Sequence, residues 1–504
     1  MKRADRAGLG AAVLAALLGA CRVGPKYNPP AIPAPPNFKE SSPAAYSSAP
    51  PGTWQPARPQ DAVLKGKWWE MFKEPELNAL EEQLNIDNQN IAQYFQNFMA
   101  ARAQIAEARS GLFPSVTTNP SVTRSGRGAS GSSFGGGSGN PGTGTSASSS
   151  VSSGGTSSTA ITLPLDISWA PDLFGRVRNT IREARFAAQV SAADLENERL
   201  AEQAALAEYY FQLRGQDSLQ DLYNRTIAAD RESLNLTRAL LETGIDSPED
   251  VAEAEVTLAE AEEAGAGIAT NRALYEHAIA MLIGKAASEF SMPVKPLTTP
   301  LPPIPVGVPS ELLGRRPDIA GAERNMAAAN ALIGVEKAAY YPTLNLTADG
   351  GLAGTTLKGL FSLPALFWSL GTSASQIIFD AGLRKATVAQ YTASYNADVA
   401  AYKQTILTAF QQVEDYIATL RVTSDQIVRQ EAALRAAQQY LEIARSRYET
   451  GLDAYLNVMT AELTLLSNQQ LQVTLRMNEM TAAVQLVQAL GGGWNADQLS
   501  SVLK

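Results

Sequence analysis

Cysteine and histidine are nearly absent from this chain of 504 residues, which contains one of each, Cys21 and His277. A single cysteine cannot form an internal disulfide, and one Cys with one His cannot build a zinc site. Catalysis that pairs a nucleophile with histidine would depend on His277, which lies in the apolar-periodic stretch LYEHAIAML and is interpreted as a helix-surface or core residue. The sequence therefore predicts that the chain is not an enzyme and binds no metal or cofactor.

Other absences concern charge and energy. Acidic and basic residues are mixed along a chain of formal net charge −9, and no basic block appears that would suit a phosphate backbone, so nucleic acid is not expected as a partner. No GxxxxGK[ST] motif occurs, so any energy for transport must come from another protein. Methionine is sparse and forms no run that would indicate metal export.

The N-terminus resembles an export signal. Lys2, Arg3 and Arg6 precede an apolar run at residues 7–18, which is shorter than the roughly 20 residues needed to span a bilayer. The run ends in LGAC, which resembles a lipobox, so we predict that residues 1–20 are a signal peptide and that Cys21 becomes the lipidated first residue. Three fatty chains there would exceed the two signals needed for stable anchoring. Arg22 is not the Asp of an inner-membrane retention signal, so sorting to the outer membrane is expected.

An internal repeat organises the rest of the chain. Three glycine pairs lie at one offset of 207 residues: Gly175 and Gly382, Gly244 and Gly451, and Gly284 and Gly491. Upstream, Pro114 and Pro342 lie 228 residues apart, and the Ser/Gly-rich stretch 125–159 of the first copy accounts for the difference. Each copy is predicted to run helix, strand, loop, strand, long helix, turn, helix.

Helical patterning is strongest in two long segments without proline, residues 176–243 and 384–450. At 1.5 Å per residue each would be about 100 Å long, and the apolar period lies between those of a straight helix and a coiled coil. The shorter segments 76–110 and 247–284 could stack end to end to match one long helix. This pattern predicts a tube wall of paired helices.

Four segments have strand character, at about 112–123, 159–169, 343–353 and 366–379. Two of them alternate apolar and polar residues, which is typical of a transmembrane β-strand but equally of a half-buried soluble strand. Four strands cannot close a barrel, and open edges cannot face lipid, so membrane strands would have to be shared between chains. A trimer would supply twelve.

The most recognisable block is RRPDIAGAERNMAAANALIGVEKAAYYPTLNL, which begins at Arg315 and reads as a helix start at Pro317. With CRVGPKYNPP, KWWEMFKEPELNAL, LDISWAPDLFGR and IIFDAGLR, it resembles the TolC-like outer membrane factors, specifically their lipoprotein (NodT-type) efflux subgroup. The resemblance implies an α+β membrane protein. In that fold a long α-helical coiled-coil periplasmic barrel continues a transmembrane β-barrel shared by three chains, with four strands and two structural repeats in each chain.

The predicted organisation places the signal peptide at 1–20 and a lipidated N-terminal segment at 21–75. Repeat 1 covers 76–290, a Pro-rich linker 291–316, repeat 2 residues 317–494, and a C-terminal tail 495–504. By the resemblance, the N-terminal segment, the linker and the tail form an equatorial collar.

The resemblance also implies a function. A homotrimer in the outer membrane would passively conduct small molecules delivered by a periplasmic adaptor protein and an inner-membrane transporter of the proton-driven kind. Gly244 and Gly451, each predicted to end a long helix with a left-handed cap, would lie at the periplasmic tip. The family places carboxylates after the second turn, where this chain has Asn457 and Thr460. The candidate constriction residues are Asp453, Tyr455, Asn457, Thr460, Asp246, Asp250 and Glu253.

Three other readings remain open at this point. The same fold could serve as the outer-membrane duct of a type I protein secretion system. The chain could also be a non-conducting periplasmic coiled-coil scaffold with soluble strands, or a lipoprotein enzyme acting on the cell wall. The lipobox and the Arg315 block favour small-molecule efflux.

Overall fold

The computed structural model describes residues 23–31, 35, 38–40, 66–126, 157–244, 247–304, 306 and 309–494. The predicted signal peptide 1–20, the lipidation residue Cys21, the tip residue Asp246 and the tail 495–504 lie outside the described residues. Residues 127–156 of the predicted loop also lie outside the described residues.

The elements of the first copy are α1 (Pro75–Asp87), α2 (Gln89–Ser110), β1 (Ser115–Thr117), β2 (Ser121–Gly126), β3 (Ser157–Trp169), α3 (Arg176–Glu242) and α4 (Pro248–Leu282). Those of the second copy are α5 (Pro309–Arg315), α6 (Pro317–Ala338), β4 (Thr343–Gly354), α7 (Leu357–Leu360), β5 (Leu366–Ser375), α8 (Leu383–Glu449) and α9 (Tyr455–Ala489). Short 3-10 helices lie at Trp68–Phe72, Ala287–Glu289 and Leu363–Ala365.

The repeat predicted from the glycines is confirmed by the helices. The long helices α3 and α8 both have 67 residues, α4 and α9 both have 35, and α2 and α6 both have 22. The glycines of the three pairs all have positive φ, from 70° to 93°. The helix start predicted at Pro317 is also confirmed.

The predicted single helix at 76–110 is wrong, because it breaks at Asn88. This residue is extended (ψ 124°), and its side-chain oxygen accepts a hydrogen bond from the Ile91 N–H at 2.9 Å, which caps α2. Gly284 ends α4 at this break, so close to the Asp87 carbonyl oxygen that a Cβ would lie 2.5 Å from it. The second copy repeats this close approach, since a Cβ at Gly491 would lie 2.1 Å from the Arg315 carbonyl oxygen.

The chain divides into two compact units. The first comprises Met1–Pro25, Ala106–Arg182 and Ala331–Tyr391, and it contains the antiparallel sheet. The strand order is β1-β3-β4-β5, with β2 also paired to β3. β1 and β2 keep one register, since Thr117 faces Asp166 and Ser121 faces Thr162, so together they occupy a single strand position.

The bounds of two predicted strands need correction. The strand expected at 112–123 begins at Ser115 and is interrupted between Thr117 and Ser121, opposite Pro164 of β3. Pro120 and Pro164 both lack the N–H that a ladder requires, which accounts for the gap. The strand expected at 366–379 ends at Ser375, and residues 376–380 have no regular structure.

The second unit comprises Lys26–Ile105, Glu183–Asn330 and Thr392–Lys504. Its main core packs the aromatic rings of Trp68, Phe72 and Phe211 against the apolar faces of α3, α8 and α9. Among the described residues, no helix is both long enough and apolar enough to cross a membrane.

The linker after α4 is fixed to the long helix by a buried charge network. Asp217 of α3 accepts hydrogen bonds from Arg214 at 3.0 Å, from Arg272 at 2.7 Å and from the backbone N–H of Lys295 at 2.9 Å. Its side chain is fully buried. The carbonyl oxygens of Met292 and Pro293 accept from the same two arginines, so the polypeptide between the copies is attached at its start.

Candidate functional site

One face of the sheet is apolar. Residues directly opposite each other in an antiparallel pair lie on the same face, so the registers define rows across the strands. One row is Val116, Ile167, Ala348 and Leu370, and others contain Leu165, Leu352, Leu366 and Trp368. Trp368 and Leu370 are each 75% exposed, so the described residues leave this part of the face uncovered, whereas Ile161 at its end is 9% exposed.

The opposite face is polar. Its central row places Thr117, Asp166, Asp349 and Ser369 side by side, and the Ser369 hydroxyl donates to Asp349 Oδ2 at 2.8 Å. Other rows of this face contain Thr162 and Thr347. A sheet with one bare apolar face and one polar face suits a boundary between lipid and water.

The turn predicted to lie at the second tip follows α8 at Gly451, and its predicted left-handed cap is confirmed. Gly451 has φ 71° and donates to the Tyr448 carbonyl oxygen at 2.8 Å, while Leu452 donates to the Arg447 carbonyl oxygen at 2.9 Å. This pair of bonds is a Schellman motif, which satisfies carbonyls left open at the helix end. Gly244 ends α3 similarly, with φ 75° and a bond to the Leu241 carbonyl oxygen at 2.9 Å.

Asp453 lies in the turn after Gly451 and is engaged by Arg447. The Arg447 Nε donates to Asp453 Oδ2 at 2.6 Å, and a second guanidinium nitrogen lies 3.4 Å from Oδ1. Three quarters of the Asp453 side chain is covered, whereas more than half of the Arg447 side chain is exposed. The carboxylate is thus held at the turn with its charge balanced by a neighbour from the preceding helix.

Tyr455 is buried inside the helix packing. It is 2% exposed, its ring centroid lies 5.5 Å from that of Tyr448, and its hydroxyl is 3.0 Å from the Ser233 Oγ of α3. Any effect of Tyr455 on a constriction would therefore be indirect. Asn457 and Thr460 follow on the exposed side of α9, and the Thr460 hydroxyl donates to the Leu456 carbonyl oxygen at 2.8 Å.

In the first copy, Asp250 serves as a helix cap. The backbone N–H of Ser247 donates to Asp250 Oδ2 at 2.9 Å, and the Asp250 N–H donates to Ser247 Oγ at 3.2 Å. This capping box, with Pro248 at the first helical position, begins α4. Glu253 is half-buried one turn further on. Asp250 in the first copy and Asp453 in the second copy therefore both have partners, Ser247 and Arg447 respectively.

The sequence reasoning missed an ionisable cluster near these turns. Asp230 of α3 is 4% exposed and lies where Glu462 of α9 and Arg445 of α8 also contribute charge. The signal that could have revealed it is the repeat: Arg238 and Glu255 in the first copy lie 207 residues before Arg445 and Glu462, and both pairs form ion pairs.

His277 lies on the exposed surface of α4. No group of three or more potential metal ligands occurs within the ranges that the structure describes.

Comparison with known proteins places the chain. The family model described as outer membrane efflux protein matches residues 80–285 and 308–492. Two Pseudomonas putida proteins, the antibiotic efflux pump outer membrane protein ArpC and the toluene efflux pump outer membrane protein TtgC, are each 31% identical over 501 residues, covering 98% of both chains. The solved structure of the outer-membrane channel OprN is similar with a TM-score of 0.82 and 28% identity, covering 94% of this chain and 100% of the other.

These features define an outer-membrane channel component of an efflux system, built from helical hairpins and a two-faced sheet. The chain belongs to the outer membrane efflux protein family, and the resemblance to TolC-like outer membrane factors drawn from its motifs is confirmed.

Proposed function

We propose that three copies of this chain form a passive duct that carries small organic molecules from a periplasmic pump and adaptor to the cell exterior. The observation that carries the proposal is the sheet: its four strand positions leave the outer edges of β1/β2 and β5 unpaired within the described chain, under a bare apolar face. Unpaired backbone groups cannot face lipid, because each costs several kcal/mol. Pairing between copies removes these edges, and three copies give twelve strand positions around a polar lumen.

The substrate class is proposed from the relatives. The names of the two Pseudomonas putida proteins refer to antibiotics and toluene, so apolar and amphipathic organic molecules are the class to test first. The duct itself performs no chemistry in this proposal, and transport energy comes from an inner-membrane transporter of the proton-driven kind reached through a periplasmic adaptor.

The tip end of the helical hairpins is proposed to close the duct. Asn457 and Thr460, exposed on one side of α9, and the Arg447–Asp453 pair are the described groups available to face a narrow passage. Asp246 is proposed with them from its place in the sequence, while Asp250 and Glu253 lie at the start of α4. Tyr455 supports this end from within the packing.

The decisive experiment is planar-bilayer conductance of the purified full-length protein, with its mass measured in detergent. A trimer that forms discrete channels is expected. The double variant Asn457→Ala/Thr460→Ala should raise conductance severalfold, while His277→Ala on the exposed side of α4 should leave it unchanged. A monomer without conductance would overturn the proposal in favour of a non-conducting scaffold.

Cellular efflux separates the proposal from protein secretion. Expression in a bacterium that lacks its own efflux channels should restore resistance to toluene and to antibiotics when the matching pump and adaptor are present. Restored export of a secreted protein without any change in resistance would favour a type I secretion duct.

Lipid attachment at Cys21 is proposed as a second anchor beside the strands. Intact mass of the mature protein should show a chain that begins at Cys21 with diacylglyceryl and amide-linked acyl groups. Cys21→Ala should lose this mass addition, and an unmodified cysteine in the wild-type protein would contradict the assignment.

A further inference from the structure

Asp230 is a buried carboxylate at the contact between α3 and α9. Its side of α3 also carries Ser233, Leu234 and Thr237, at the spacing of successive helical turns, and Leu234 packs with Val458 and Ala461 of α9. Asp230 Oδ2 has no hydrogen-bond partner among the described residues. Most buried polar atoms are paired, so an unpaired carboxylate oxygen in an otherwise packed contact calls for a specific explanation.

The repeat shows that Asp230 is an addition to one copy. Arg238 and Glu255 join α3 to α4 at 2.6 Å, and the equivalent residues Arg445 and Glu462 join α8 to α9 at 2.9 Å. The residue equivalent to Asp230 in the second copy is Ala437, which is buried and apolar. A hairpin of this construction therefore packs without a carboxylate at that position.

The added carboxylate, when ionised, gives the cluster more negative than positive charge. The Glu462 side chain is 12% exposed and has Arg445 as its partner, so ionised Asp230 adds a second negative charge to one guanidinium. Two neutral groups lie beside the cluster, the Tyr455 hydroxyl of α9 and the Ser233 hydroxyl of α3, which are 3.0 Å apart. On α4, Glu262 is paired with Arg231, the neighbour of Asp230, at 2.6 Å.

This environment brings the titration of Asp230 into the physiological range. Burial and, secondarily, the charge of Glu462 raise the pKa of Asp230 to about 7, although Arg445 opposes the shift. Burial also raises the pKa of Glu462, again opposed by Arg445. A carboxyl group whose pKa is higher in the packed state stabilises that state when protonated. The stabilisation is complete below the unfolded value near 4 and is lost as pH rises to about 7.

We propose that Asp230 is a proton-operated latch between α3 and α9, which holds the ends of the two helical hairpins together when it is neutral and loosens them when it ionises beside Glu462. Mild acidification then closes the latch and neutral pH opens it. The latch rests on the proposed function only for its effect on conduction, because its effect on helix packing exists whether or not the chain conducts.

Hydrogen–deuterium exchange of the full-length protein in detergent tests the packing directly. After correction for intrinsic rates, backbone amides at residues 230–237 and 455–461 should exchange on the order of tenfold more slowly at pH 5.5 than at pH 7.5. Asp230→Ala, which copies Ala437, and Asp230→Asn should both remove this difference. The matched control Glu255→Gln alters the equivalent exposed pair of the first copy and should retain it.

Two outcomes would overturn the latch: wild-type protein whose corrected exchange does not depend on pH in this window, or Asp230 variants that keep the wild-type dependence. Conductance separates the latch from the proposed function. Channels that open more often at pH 7.5 than at pH 5.5, with the difference lost in Asp230→Asn, support both. A pH-dependent exchange without any channel activity leaves the latch in place and removes the proposed function.

Discussion

At the scale of single residues, the charge network around Asp217 should determine much of the stability of the second unit. Its fully buried carboxylate compensates Arg214 and Arg272, so Asp217→Ala leaves two guanidinium groups short of a partner. Breaking a buried ion pair by removing one member costs about 3–5 kcal/mol. We expect Asp217→Ala to lower the free energy of unfolding by about 3 kcal/mol, because Glu76 and Glu276 still contact the arginines.

Thermal unfolding of the detergent-solubilised protein checks this expectation. The matched control is Asp221→Ala, one helical turn away on α3, where the ion pair with Arg225 is more than half exposed. Surface pairs of this kind contribute roughly 0–1 kcal/mol, so the control should melt close to the wild type. Equal, small shifts for both variants would mean that the linker is not held by Asp217.

For single residues, the sequence predicts backbone conformation better than it predicts which side chains are buried. The left-handed caps at Gly244 and Gly451 were predictable because positive φ is strongly restricted to glycine. In α8 the apolar residues Ile406, Val413 and Leu420 are fully buried, whereas Ile427, Leu434 and Leu441 further along the helix are only half-buried. Along that later stretch the buried positions include Thr423, Gln430, Ala437 and Ala444, at a spacing of seven. The two alanines permit close helix approach, and Gln430 is buried because its side chain donates to Asn468, so hydrophobicity alone does not single these positions out.

At the scale of elements, the central strand β3 accommodates a proline because its neighbours make room. Pro164 faces Gly351 of β4, where a Cβ would lie 2.3 Å from the Leu163 carbonyl oxygen and 2.8 Å from the Pro164 Cα. On the other side, the Thr118 hydroxyl donates to the Pro164 carbonyl oxygen at 2.7 Å, within the gap between β1 and β2. The sequence showed the proline but not its glycine partner, because strand register cannot be read from alternation alone.

Gly351→Ala should therefore damage the sheet while Gly350→Ala does not. The nearest atom to a Cβ at Gly350 is the Phe367 carbonyl oxygen at 3.8 Å, an ordinary contact, whereas the clash at Gly351 is with fixed backbone. Forcing atoms into a packed site costs typically about 1–3 kcal/mol. We expect a lower unfolding temperature and reduced yield of folded protein for Gly351→Ala only, measured by circular dichroism melts. Indistinguishable melts for the two variants would show that the β3–β4 pairing relaxes around the added methyl group.

At the scale of the whole molecule, the two faces of the sheet should have different consequences for assembly. The repeat, the long hairpins and the family could be predicted from the sequence because they depend on periodicity and on local motifs. The division of the faces could not be predicted in this way, because it depends on register across four strand positions. That register places Val116, Ile167, Ala348 and Leu370 in one row. The polar row of Asp166 and Asp349 lies on the other face.

Adjacent residues of β5 separate these roles. Leu370 is 75% exposed on the apolar face, whereas Ser369 lies on the polar face and bonds to Asp349. In the proposed duct, Leu370→Lys places an ammonium group against lipid at a cost of about 2–4 kcal/mol near the bilayer midplane, and Ser369→Lys places it in water. We expect Leu370→Lys to reduce heat-modifiable trimers in outer-membrane fractions strongly, with Ser369→Lys near wild type.

Conductance of Ser369→Lys tests whether the polar face lines the passage. A lysine at position 369 stands beside Asp349 in each copy, so three added positive charges should reduce any preference of the channel for cations while trimers remain intact. Electrophoretic mobility with and without heating, together with reversal potentials in a salt gradient, gives both readouts from one preparation. Normal trimers from Leu370→Lys combined with failed assembly of Ser369→Lys would reverse the assignment of the faces, and the polar row would then have to face away from the passage.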